Sequence, residues 1–194
     1  YFPERYCSIG IEHIIGYAVF KMNQALFPLF PLLAALGFFL HAAWVDFLTW
    51  KIPNRTVLAL VAWFALYAVI ALAAEQSERF GLFLPGSLAA GGLLLAVGFV
   101  LWKLRLFGAG DAKLMFPVGL FLGWPHLMPY AIGLAVFAAI ALLALKLPLP
   151  AGMGMTPIGM RIDDIRKTGK VPYAVIMVAS LLSALLPEYL RILS

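Results

Sequence analysis

Long apolar runs constrain this chain more than anything else in it. Five stretches, Leu26 to Val45, Val57 to Ala74, Leu84 to Trp102, Leu127 to Leu145 and Tyr173 to Leu190, each approach the ~20 residues that a helix needs to cross about 30 Å of hydrocarbon. A soluble domain of 194 residues could not hide them: hydrophobic residues make up 64% of the chain and charged residues 12%, about half the usual ~25% charged fraction. Mean hydropathy is +0.99. The pattern predicts an all-α polytopic membrane protein. Between the third and fifth runs lies a shorter one, Ala112 to Trp124, closed by Pro125. A helix over it would measure roughly 20 Å, too little for a full crossing. Six transmembrane helices are therefore expected, the fourth of them short and beginning below the inner membrane surface.

The basic residues orient the bundle. Lys51 and Arg55 follow the first run, and Lys103, Arg105 and Lys113 follow the third. Lys146, Arg161, Arg166, Lys167 and Lys170 follow the fifth, so ten of the fourteen Lys and Arg lie in alternate loops. By the positive-inside rule these loops face the cytoplasm and both termini face outward. The formal charge of +5 is explained by this topology, so no nucleic-acid partner is expected; the partner implied throughout is the lipid bilayer of a cytoplasmic (inner) membrane. The single cysteine, Cys7, excludes an internal disulfide and a Cys-based zinc site. Small residues crowd the third run at Gly86, Ser87, Ala89, Ala90, Gly91, Gly92 and Gly98, which predicts close helix packing in lipid and no chemistry.

Residues 1–21 read as an N-terminal extension, either an interfacial helix or a segment ahead of a start at Met22. Residues 22–194 read as one six-helix membrane domain. Residues 148–170 contain four glycines and three methionines before and within a charged patch. This loop is expected to be a flexible cytoplasmic connector; adaptable Met-rich segments also suit docking of an apolar partner.

Two of the nine acidic residues stand apart. Seven lie at termini or in loops, but Asp46 directly follows the first apolar run and Asp111 opens the short fourth one. An acid at membrane depth is costly and points to function. If Trp124 marks the outer end of the short helix, Asp111 starts about 10 Å beneath the inner surface. Two carboxyls held together there cannot both ionise and would share one proton, as in an aspartic peptidase. Gly108 and Gly110 precede Asp111 and let another segment approach closely. Asp111 could also cap its helix, and Asp46 could pair with Lys51 or Arg55. A proton-coupled transporter using the two acids as a relay is a separate reading. Against it, both acids lie towards one membrane face and no internal repeat is visible.

The run Asp46-Phe-Leu-Thr49-Trp-Lys51-Ile52-Pro53-Asn54 resembles the first aspartate motif of the prepilin peptidases, Asp-x-x-Thr-x-x-Ile-Pro-Asn. Gly108-Ala-Gly110-Asp111-Ala-Lys113-Leu114 resembles their second, Gly-x-Gly-Asp-x-Lys-Leu. Val171-Pro172-Tyr173-Ala174 is similar to the stretch that opens the family's last helix. The resemblance implies an intramembrane aspartyl protease that removes the basic leader of type IV prepilins or prepseudopilins at the cytoplasmic face. Asp46 and Asp111 would be its catalytic pair, with no metal or other cofactor. Larger members carry a cytoplasmic insertion with paired cysteines and also methylate the new N-terminus. Here the first motif follows the first helix at once and no cysteine pair exists, as in the short, peptidase-only members serving Tad/Flp-type pili, so no methyltransferase activity is expected. Archaeal preflagellin peptidases share the same dyad and are an alternative. Presenilin-like proteases share Gly-x-Gly-Asp but add a Pro-Ala-Leu motif absent here.

Neighbouring residues have humbler expected roles. Lys113 lies about 200° around the helix from Asp111 and is expected to snorkel, or else to hold an anionic group or bias the dyad. Thr49, one turn past Asp46, could bind the carboxylate or the backbone one turn back. Pro53 and Asn54 are expected to end one helix and begin the next, with Asn54 as a cap. His41 and His126 make no metal-ligand spacing with the acids.

Overall fold

The computed structural model describes residues 33–73, 77–147, 156–169 and 171–193. The expected extension over residues 1–21 lies outside them, as does the start of the first apolar run. The described residues form seven α-helices and no strand. They are α1 (Leu33–Thr49), α2 (Asn54–Ala73), α3 (Ser77–Lys103), α4 (Ala109–Leu122), α5 (Leu127–Lys146), α6 (Pro157–Thr168) and α7 (Tyr173–Leu193). A 3-10 turn, Trp124–His126, joins α4 to α5.

Three helical segments, Asn54–Ala73, Phe83–Lys103 and Trp124–Lys146, are long and apolar enough to cross a membrane. A fourth span exists if α6 and α7, bent by 109° at their junction, are counted as one. The chain is a multi-pass membrane protein. Its outer helices present large apolar side chains such as Leu58, Val69, Phe99, Ile132 and Leu143 to the surroundings, as lipid-facing helices must.

The short helix is the centre of the molecule. Nine of the 14 residues of α4 are buried, and Leu114, Met115, Val118 and Leu122 share one core with Phe39 of α1, Leu60 of α2 and Met177 and Leu181 of α7. At 1.5 Å per residue α4 is about 21 Å long. It packs most closely on α3, where the small residues of the third run allow backbone contact. A Cβ on Gly119 would lie 2.6 Å from the Ala90 carbonyl oxygen and 2.6 Å from the Gly91 Cα.

Both connections that carry the aspartate motifs end a helix with a left-handed residue. Trp50 adopts φ 59°, and its N–H returns to the Asp46 carbonyl at 2.9 Å. Arg105, at φ 60°, closes α3: its N–H bonds the Trp102 carbonyl and the Leu106 N–H bonds the Leu101 carbonyl, both at 2.9 Å. This is a Schellman arrangement at a position glycine usually fills. Such strain in a non-glycine residue persists only where surrounding contacts hold it.

The expected flexible connector contains α6. Thr156 caps it by accepting the Gly159 N–H at 3.0 Å, Pro157 occupies the first turn, and Gly169 ends it at φ 67°. Ion pairs Arg161–Asp164 at 2.7 Å and Lys167–Asp163 at 3.7 Å run along it. A capping threonine, an N1 proline and a terminal glycine are ordinary helix signals. The surrounding Gly, Met and charged residues obscured them.

Candidate active site

Asp46 lies in the last turn of α1 and Asp111 in the first turn of α4. Both are buried, at 5% and 7% exposure, and both line a single cavity of about 350 Å³. Its other walls are Trp50, Lys51, Ile52, Asn54, Gly108, Ala109, Gly110 and Lys113. The two sequence motifs thus converge on one space.

Each carboxylate is held by a backbone N–H at the start of a helix, a donor with no intrahelical partner. Asp111 Oδ2 accepts the Gly108 N–H at 3.2 Å. Asp46 Oδ2 accepts the Ala174 N–H of α7 at 3.3 Å. Asp111 therefore does cap its helix, as the N3 residue reaching back to Gly108 at the N-cap. Capping consumes only one of its oxygens, since Oδ1 is buried and has no hydrogen-bond partner. The helix starts at Ala109, three residues before the apolar run itself.

The glycines of the second motif have separate tasks. A Cβ on Gly108 would meet Asp111 Oδ2 at 2.8 Å, so the carboxyl lies where an alanine methyl would go. A Cβ on Gly110 would meet the Ile52 Cβ at 3.1 Å and the Ile52 nitrogen at 3.3 Å. Gly110 therefore lets the chain after α1 press Ile52 against the start of α4.

The remaining motif residues divide. Lys113 lines the cavity and donates from Nζ to Asn54 Oδ1 at 3.2 Å. The lysine stem is long enough to offset its angular displacement on the helix. Asn54 opens α2 and ties the two motifs together through that bond. Thr49 takes the backbone role, donating to the Val45 carbonyl at 2.8 Å. It does not line the cavity, and neither does Pro53, which bridges α1 and α2. Among the described residues no group of three or more His, Cys, Asp or Glu could hold a metal ion.

The sequence model of the type IV leader peptidase family matches residues 33–146, a span that contains both aspartate motifs and more than half of the chain. The chain belongs to the type IV leader peptidase family. No curated protein and no solved structure gives a significant match. As a leader peptidase of this family, the protein has peptide-bond hydrolysis as its chemistry.

Sequence reading missed three features at or beside the site. Trp50 belongs to the first motif but signalled nothing by type. Arg161 of α6 contacts the end of α1 from 114 residues away, donating from Nε to the Phe47 carbonyl at 2.6 Å. The backbone N–H of Ala174 falls in the stretch that resembles the opening of the family's last helix, but no side chain announced its bond to Asp46.

Gly108→Ala is expected to displace the Asp111 carboxyl and slow leader cleavage about ten- to a hundredfold, the scale of a small misplacement in a catalytic group. Gly108 has φ −70°, which alanine accepts without strain, so the stability loss should not exceed the cap bond itself, about 1 kcal/mol. Cleavage rates and melting curves of the purified variant check both halves.

Proposed function

We propose that this leader peptidase is an intramembrane aspartyl endopeptidase. It removes the basic leader of type IV prepilins or prepseudopilins with Asp46 and Asp111 as the catalytic pair, and it does not methylate the new N-terminus. The observation that carries the reading is the convergence of these two buried carboxyls on one cavity, with Asp111 Oδ1 uncommitted.

The chemistry follows from two carboxyls sharing a proton. The ionised one takes a proton from water as its oxygen attacks the scissile carbonyl carbon, and the protonated one gives its proton to the carbonyl oxygen. The tetrahedral intermediate then collapses. The C–N bond breaks, the leaving amine gains a proton, and one water has been consumed per bond cut. The backbone N–H groups of Gly108 and Ala174 fix the carboxyls through their Oδ2 atoms, which keeps both side chains oriented through the cycle.

In the membrane, α1 to α5 and α7 make six passes with both termini outside, and α4 starts beneath the inner surface. The basic residues Lys51, Lys103, Lys146 and Arg166 support this orientation, which puts the cavity and α6 on the cytoplasmic side. A prepilin presents its leader there, with the apolar helix that follows lying in the bilayer. An archaeal preflagellin would meet the same dyad.

Co-expression with a prepilin, followed by mass spectrometry of the product, tests the proposal. The expected product begins just after the leader glycine and carries an unmethylated N-terminus. A methylated product would overturn the peptidase-only assignment. Absence of cleavage across several prepilins and preflagellins would overturn the substrate class, and ion coupling through the two acids would become the better account.

A further inference from the structure

Helix α6 lies across the ends of two other helices and grips each with an arginine. Arg161 donates from Nε to the Phe47 carbonyl in the last turn of α1 at 2.6 Å. Arg166 donates from Nη2 to the carbonyls of Ala144 (3.3 Å) and Leu147 at the end of α5. Carbonyls at a helix C-terminus have no intrahelical donor, and arginine is suited to satisfy them. The Arg161 guanidinium also lies 4.2 Å from the centre of the Trp50 ring and is fixed by Asp164 Oδ2 at 2.7 Å. Its side chain is 15% exposed, so three of its surfaces are in use.

Apolar packing does not account for this arrangement by itself. Beneath α6 is an apolar cavity of about 310 Å³ between Ile162 and Ile165 on one side and Phe47, Leu145, Val171 and Ile176 on the other. Arg166 also lines it, and the polar grips of Arg161 and Arg166 add to the apolar contacts. Arg161 holds the chain that follows Asp46 at two points, the Phe47 carbonyl one residue on and Trp50, whose left-handed backbone closes onto the Asp46 carbonyl. Trp50 is in turn a wall of the Asp46–Asp111 cavity.

We propose that α6 is a clip on the Asp46 side of the active site, and that Arg161 is a positioning residue that sets the geometry of Asp46 through the Phe47 carbonyl and the Trp50 ring. The inference rests on the reading of Asp46 as catalytic. Arginine is required because its planar fork can bond a carbonyl and a carboxylate while its face covers an indole, which a lysine ammonium cannot do.

The test uses the full chain in lipid nanodiscs with a prepilin substrate. Spin labels go at Leu48 on α1 and Thr168 on α6, in a background with Cys7 replaced. Arg161→Ala is expected to lower kcat roughly tenfold with KM within about twofold, and to broaden the Leu48–Thr168 distance distribution. Arg161→Lys, which keeps the charge and serves if the alanine variant fails to fold, should lose at least about threefold in kcat and broaden the distance in the same sense. Lys167→Ala, which removes only an exposed pair on α6, should match wild type in both readouts. The proposal is overturned if Arg161→Lys equals wild type, or if kcat falls while the distance distribution stays unchanged. Asp46→Asn in the same assay separates the two levels. If it still cleaves, the catalytic reading of Asp46 fails; if it is inactive while the Arg161 variants match wild type, only the clip fails.

Discussion

Asp111→Asn is expected to abolish leader cleavage, by roughly a thousandfold or more, in a protein that still folds. Asparagine retains the shape of the side chain and an oxygen that can accept the Gly108 N–H, so the cap on α4 survives. What it loses is the capacity to hold or release a proton at the second position, where Asp111 Oδ1 is buried without a partner. An amide there can neither activate water nor protonate the carbonyl oxygen. Asp111→Ala should be equally inactive but less stable, because the Gly108 N–H loses its acceptor, at a cost of about 1 kcal/mol. Cleavage rates and melting temperatures measured on the same preparations distinguish a chemical loss from a folding loss.

The largest structural effect is expected at Gly119. Its added Cβ would fall 2.6 Å from the Ala90 oxygen, 2.6 Å from the Gly91 Cα and 2.7 Å from the Gly91 nitrogen. All three are backbone atoms, so no side chain can rotate away, and α3 must withdraw from α4. In lipid, close packing is much of what holds helices together. Gly119→Ala should cost about 3 kcal/mol, the upper end of the usual range for overpacking, and Gly119→Val should prevent assembly. Gly92→Ala is the control, since nothing lies within 4 Å of its added Cβ. Thermal unfolding in detergent or nanodiscs should show a large drop for Gly119 variants and almost none at Gly92.

How much was legible in the sequence follows from the range of each interaction. The apolar runs were readable because lipid leaves a spanning segment few alternatives. The glycines of the third run correctly signalled close packing, now seen as the α3–α4 contact. Asp46 and Asp111 were readable as a pair because each breaks an apolar pattern, and the structure brings both to one cavity. Their holders were not readable: the Ala174 N–H reaches Asp46 from 128 residues away and Arg161 reaches Phe47 from 114. A backbone N–H has no residue-type signature, and an arginine in a basic loop is first explained by topology. The direction of Lys113 was left open by the sequence for a simpler reason. Angles around a helix axis predict where a Cβ points, whereas a four-carbon stem can bring its ammonium back to Asn54.

The central claim is that Asp46 and Asp111 act as one catalytic unit. It is tested most directly by measuring leader cleavage for wild type, Asp46→Asn, Asp111→Asn and the double variant at matched amounts of folded enzyme. Groups that act as a unit are strongly non-additive. The account predicts that the three variants are indistinguishable, each reduced to the same residual rate. Appreciable cleavage by either single variant, or a double variant slower than both by the product of their effects, would contradict it.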